Sequence, residues 1–214
     1  MKTLQVVVFL LVMELLGAQF SFAKVDDSIY GTNKVVFQPL QANGALYGCS
    51  LVYSAMQADY AYRQGRPVII NGSISVQRFA TGEVVGLKIG VTDITETTRA
   101  RPYFAYMQTS VATTANIPHQ KSDGDAEGFL LIGMSLNEAS MNFLVKMLEL
   151  GEITIGFNYK EGGMDVLVPI DLKVFDVELL PTGHYLRKRS VEALENFSGC
   201  FAEILEQGLS AQQK

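Results

Sequence analysis

Apolar and polar residues alternate along several stretches of this chain, and that period of two restricts the fold more than any other feature. In "GLKIGVTDI" Leu87, Ile89 and Val91 fall on one face, with Lys88, Gly90 and Thr92 on the other. "EITIGFNY" repeats the pattern with Ile153, Ile155, Phe157 and Tyr159, and "MDVLVPI" with Met164, Val166, Val168 and Ile170. Successive side chains of a strand point to opposite faces, so one apolar and one polar face describe a half-buried strand, usually in an antiparallel sheet. Between such stretches, "ATGE" at 80–83 and "KEGG" at 160–163 place glycine where a hairpin needs positive φ. Further strands are predicted at 34–38, 46–62, 67–79, 99–111, 128–134 and 172–179.

Two stretches change period. About 136–150, Leu136, Phe143, Leu144, Met147 and Leu148 share one helical stripe, with Ser135 and Glu138 spaced as a capping box and Gly151 as the stop. About 190–207, Leu194, Phe197, Phe201, Ile204 and Leu205 form a second stripe, with Ser190 as N-cap and Gly208 as stop. No regular strand–helix–strand alternation occurs, which argues against a doubly wound parallel sheet. The expected class is α+β: mainly antiparallel β, as a sandwich or curved sheet, with two amphipathic helices. The polar, glycine-bearing stretch 113–128 separates an all-β part from a mixed part. It is read as a long surface loop within one domain covering 24–214.

The first residues, MKTLQVVVFLLVMELLGAQFSFA, set the compartment. Lys2 precedes an apolar run from Val6 to Met13, and Ser21-Phe22-Ala23 places small residues around a cleavage point before a polar KVDDS. That is the layout of a secretory signal peptide over 1–23. As a membrane anchor the run is short of the roughly 20 apolar residues a span needs, and Glu14 interrupts it. Gln19 stands where a lipoprotein signal requires cysteine. Cleavage leaves 191 residues and a net charge of −5, with no later segment apolar enough to cross a membrane. A mildly acidic chain has no bulk attraction for nucleic acid or anionic lipid.

An exported chain with two cysteines implies a disulfide between them. Cys200 lies beside Phe197 and Phe201 on the inward side of the second helix, and Cys49 sits in an apolar strand. A catalytic thiolate would need a neighbouring base. The two histidines, His119 and His184, are remote from both cysteines in sequence.

Motifs for chemistry are sparse. "DGDAEG" matches early positions of a calcium loop with Asp123, Asp125, Glu127 and Gly128, but Met134 occupies the place of the bidentate glutamate. It reads as a weak calcium-like turn, and no metal or other cofactor is expected. "HYLRKRS" puts His184, Arg187, Lys188 and Arg189 in a basic loop before the last helix, able to meet an acidic partner or simply to solvate the surface. "ADYAYRQGRP" mixes Asp59, Tyr60, Tyr62 and Arg63, which could frame a ligand with Tyr103, Phe104 and Tyr106 or merely pack. Asn71-Gly72-Ser73 and Asn196-Phe197-Ser198 fit the glycosylation pattern, relevant only to a eukaryotic secretory route.

The C-terminal order is "SLNEASMNFLVKMLELG", "ITIGFNY", a glycine turn, "VLVPIDLKVFDVELL", then "VEALENFSGCFAEIL" with its inward cysteine. Over 135–205 this layout resembles small exported proteins of Gram-negative bacteria of the invasion-associated locus B type. The resemblance implies a periplasmic or secreted envelope accessory factor and brings no catalytic residue with it. The expected function is therefore non-enzymatic binding of an envelope protein or glycan. Two alternatives stand beside it: an exported hydrolase using His119 or His184, and a structural subunit or assembly factor of a secretion or surface apparatus.

Overall fold

Long alternating stretches become long strands. The structure, a computed structural model, describes residues 27–94 and 99–212, so the leader read at 1–23 lies outside the described residues. After a single 3-10 turn at Asp27–Ile29 come β1 (Gly31–Ala42), β2 (Ala45–Asp59), β3 (Arg66–Phe79) and β4 (Gly82–Asp93). Short strands follow: β5 (Arg99–Ala100), β6 (Phe104–Gln108), β7 (Gln120–Asp123) and β8 (Phe129–Ser135). Helix α1 (Glu138–Leu150) leads to β9 (Glu152–Asn158), β10 (Val166–Asp171), β11 (Val174–Leu179) and β12 (Tyr185–Arg189), and α2 (Glu192–Gln212) closes the chain.

Strands β1 to β4 form an antiparallel meander that β8 and β7 extend, with β5 on the end of β4. A second antiparallel sheet runs β10-β9-β6, and β11 and β12 make a separate ribbon. The fold is thus α+β and mainly antiparallel. Register puts Cys49, Val76, Val85 and Met134 in one cross-strand row of the large sheet, and Leu51, Ile74, Leu87 and Ile132 in the next. All eight are buried. Helix α2 covers this face across β1, β2 and β3, while α1 packs on β9. Leu194, Phe197, Phe201 and Ile204 of α2 and Phe143, Leu144 and Met147 of α1 join the same buried cluster as both sheets. Cys49 and Cys200 are disulfide-bonded, with Cα atoms 6.0 Å apart, so the last helix is tied to the second strand.

One packing device recurs three times. Tyr53 faces Gly72, Phe129 faces Gly90, and Tyr106 faces Gly156 in direct cross-strand register. Each ring lies where the glycine has no side chain. A Cβ at Gly72 would come 2.0 Å from the Lys88 carbonyl oxygen and 2.4 Å from the Tyr53 hydroxyl, and one at Gly156 would come 2.3 Å from the Tyr106 ring. The Tyr53 hydroxyl crosses the gap and donates to the Lys88 carbonyl at 3.1 Å. Such pairs shield the glycine backbone and let the sheet bend there.

Several boundaries differ from the sequence expectation, each for a local reason. The cap of α1 is Asn137, not Ser135: its side chain accepts from the Ser140 amide at 3.1 Å while Ser140 Oγ accepts from the Asn137 amide at 2.9 Å. Leu136 is still tied to the sheet, its amide donating to the Glu83 carbonyl at 2.8 Å, so the helix cannot start earlier. Gly208 does not stop α2, which runs through it. There glycine makes room for Arg78 and Glu83, whose side chains a Cβ would meet at 2.8 and 2.7 Å, and Arg78 donates to the Ile204 carbonyl. The stretch 99–111 splits because Pro102 cannot donate to a ladder, and the chain passes there from β4's side to the second sheet. The 113–128 loop contains β7, an edge strand with every residue exposed.

Two stability predictions follow from this packing. Replacing both cysteines by serine lowers unfolding free energy by about 2–4 kcal/mol, read as a lower urea midpoint. Gly72→Ala costs about 1–3 kcal/mol or more by overpacking. Gly133→Ala, where the nearest neighbour would be Val84 at 3.4 Å, is the mild control. Equal melting temperatures for the two glycine variants would refute the ring-over-glycine account.

Candidate functional site

The charged end of β2 turns out to be a buried ion cluster. Asp59 opens the β2–β3 connection, its Oδ1 accepting from the Tyr62 amide at 2.9 Å. Arg63 pairs with Asp93 Oδ2 at 2.7 Å and Arg66 with the same oxygen at 3.1 Å, while Arg63 Nε lies 3.8 Å from Asp59 Oδ2. Both carboxylates are buried. Two acids and two guanidiniums neutralise each other, so this arrangement ties the β2–β3 turn to the end of β4. Tyr159 lies beneath Arg63, 6.0 Å from ring centroid to guanidinium, and burial pushes its phenol up to about 12. Tyr62 packs edge-on against Tyr159 at 5.0 Å and donates to the Met164 carbonyl at 2.6 Å. Tyr60 is left 79% exposed.

The basic run is a strand, not a loop: residues 185–189 pair with β11. Arg187 donates to the carbonyls of Thr32 at 2.8 Å and Ser28 at 3.0 Å, and to that of Tyr30, clamping the start of β1. Lys188 pairs with Glu178 at 2.9 Å, and Arg189 pairs with Asp171. His184 is exposed at the tip of the β11–β12 connection. His119 Nδ1 lies 3.0 Å from the Ile117 carbonyl, and its ring is 5.2 Å from Phe104. In the acidic turn, Asp123 pairs with Arg101 at 2.6 Å and Asp125 pairs with Lys88, while Glu127 is exposed. The Lys88 hydrogen bond holds the Asp125 carboxyl below its usual range. Among the described residues no three His, Cys, Asp or Glu side chains are grouped to hold a metal. The residues singled out in sequence therefore divide between the buried ion cluster, the β11–β12 clamp and the acidic turn. No single cleft collects them.

A different surface forms a trough among the described residues. The face of the large sheet opposite the core is concave, with a trough of about 530 Å³. Its shape follows from side-chain size. The two central strands present Ser50, Val52 and Ser54 from β2 and Asn71, Ser73 and Ser75 from β3. Longer side chains flank them: Lys34, Val36, Gln38 and Leu40 on β1, and Lys88, Phe129 and Leu131 on β4 and β8. Small residues in the middle and large ones at the sides make a floor and two walls. Tyr47 and Gln77 line one end. Register confirms the rows, with Gln38 opposite Ser50 opposite Ser75, and Val36 opposite Val52 opposite Ser73 opposite Lys88. Ser50 and Ser75 are only 3% and 4% exposed although they face away from the core. At the far wall Lys88 Nζ sits 4.6 Å over the Phe129 ring, and Arg99 covers that ring at 4.7 Å. Asn71 and Ser73 were singled out in sequence only as a glycosylation pattern, and Ser50, Ser54 and Ser75 not at all, because each is unremarkable alone. The available signal was small polar residues at every second position of β3 and at both ends of Ser50–Ser54 on β2, opposite the core residues of two neighbouring strands.

Comparison with known proteins finds nothing: no protein-family model matches this chain, and neither a curated protein nor a solved structure does.

Asp93→Asn should be costly, because it removes the buried carboxylate that Arg63 and Arg66 share. The expected loss is about 3–5 kcal/mol, measured by urea denaturation. Lys188→Ala, on an exposed pair, should leave the urea midpoint nearly unchanged. A neutral Asp93→Asn would mean that the cluster carries little of the fold.

Proposed function

We propose that this chain is an exported, non-enzymatic protein of the bacterial envelope, periplasmic or secreted, that binds an extended envelope component in the outer-face trough. The observation that carries the reading is the trough itself. It is of ligand-site size, lined from five strands, and floored mainly by hydroxyl and amide side chains that the core does not use, with Val52 among them. Supporting it are the signal-like leader at 1–23, the disulfide between Cys49 and Cys200, and the resemblance of 135–205 to exported accessory proteins. A disulfide suits an oxidising compartment. Among the described residues no helix is long and apolar enough to cross a membrane. Neither histidine lines the trough.

A rigid sheet suits such a role. The floor sits on β2 and β3, whose opposite faces are packed into the core, so the site's geometry is fixed before any ligand arrives. Ser73→Arg should fill the trough without touching the core. In co-sedimentation with cell-wall and outer-membrane fragments, the wild type is expected in the pellet and Ser73→Arg in the supernatant, with unchanged melting temperature. Equal sedimentation of the two proteins would remove the trough from the function.

A further inference from the structure

The trough's lining selects a chemical class. We infer that it binds a linear oligosaccharide carrying a carboxylate, with the sugar hydroxyls on the serine floor and the carboxylate at Lys34; this rests on the trough being the binding site.

Three observations lead there. The first is the floor. Ser50, Ser54, Ser73 and Asn71 have no side-chain hydrogen-bond partner among the described residues. Hydroxyls and carboxamides each donate and accept, as sugar hydroxyls do. An extended peptide offers its donors and acceptors to a strand edge, and the floor is the middle of a sheet, where β2 and β3 are already paired on both sides. Nor does a floor whose one apolar side chain is Val52 provide the row of apolar pockets that peptide side chains require. The second is shape. From Asn71 to Gln77 the floor advances six residues along β3, about 20 Å at strand rise, and one wall carries Val36 and Leu40, with Tyr47 near its end. A long, open channel with a polar floor and an apolar wall fits a chain of rings with hydroxyl edges and C–H faces.

The third is charge. Lys88 is paired with Asp125 and stacked on Phe129, so its charge is already answered. Lys34, exposed on the opposite wall, has no carboxylate partner among the described residues. The only acid in the lining is Asp125. One unanswered cation beside a neutral floor is complementary to an isolated anionic group, not to a polyanion.

The experiment compares two probes with one backbone: chitotetraose, which is neutral, and the tetrasaccharide of alternating N-acetylglucosamine and N-acetylmuramic acid, which carries lactyl carboxylates. Calorimetric titration of the full secreted chain should show binding of both, with the carboxylated probe tighter by about three- to tenfold at low salt and the difference shrinking as salt rises. Lys34→Gln should erase that difference and leave chitotetraose binding intact. Ser73→Arg and, independently, Ser54→Tyr should abolish both, and near-wild-type melting temperatures for either variant keep the test valid. Equal binding of the two probes by the wild type overturns the charge assignment. Failure of both probes, while Ser73→Arg still loses sedimentation with envelope fragments, overturns the saccharide inference, leaves the trough as the site and points to a peptide. Failure of both probes with no effect of Ser73→Arg on sedimentation overturns inference and trough together.

Discussion

A covalent bond between Cys49 and Cys200 fastens the last helix to the apolar face of the large sheet. Four strands of 12 to 15 residues make a sheet too wide for its own hairpins to cover. One face carries Leu51, Ile74, Leu87 and their neighbours and must be shielded from water. Much of that shield is α2, and the disulfide pins it to the strand at the centre of the face it covers. Arg78 adds a second attachment one turn further along the helix through the Ile204 carbonyl. The start of the strand system is held separately, by Arg187 on the carbonyls of 28, 30 and 32. Late segments thus secure early ones twice, and the opposite face of the sheet carries the trough.

The face carrying the trough is concave for reasons the ring-over-glycine pairs make concrete. Phe129 lies on Gly90 and Tyr53 crosses Gly72, one on each side of the sheet. At Gly86 a side chain would come 2.6 Å from the Ser75 hydroxyl. Glycine and serine in the central rows let the strands curl, while Val36, Leu40 and Leu131 stand at the margins. The buried ion cluster serves a different end. Its carboxylates and guanidiniums pair with one another beyond the end of the trough, so Asp59 and Arg63 hold the β2–β3 turn in place and act on the trough only through the rigidity of the two strands that floor it.

Much of this fold was legible from the period of two. Leu87, Ile89 and Val91, and likewise Ile153, Ile155 and Phe157, are buried as their alternation required. The cysteine pairing was legible because only one partner existed. What alternation cannot reveal is a strand polar on both faces: Gln120–Asp123 and Tyr185–Arg189 are strands by virtue of their neighbours' hydrogen bonds, not their own pattern. The helix cap was misplaced by tertiary structure, since a single bond from Leu136 to Glu83 delays α1. The trough was illegible for a further reason. Ser50 and Ser75 lie 25 positions apart in sequence, and only the register of β2 on β3 makes them neighbours. Aromatic and charged residues attracted attention first, and here most of them are occupied in holding the structure.

The composition of the floor also limits how tightly a ligand can be held. A net hydrogen bond contributes about 0.5–1.5 kcal/mol because water is displaced from both partners, and the apolar wall of Val36 and Leu40 is narrow. Against the cost of immobilising a flexible chain, a single trough of this kind favours discrimination over affinity. Serine and asparagine side chains leave a poor fit unrewarded, since each unmet hydroxyl keeps its water. For a soluble small molecule that would be a weak site. For a polymer fixed in the envelope it is sufficient, because a repeating ligand presents many equivalent registers to one trough, and a protein that dissociates from one repeat meets the next before it diffuses away.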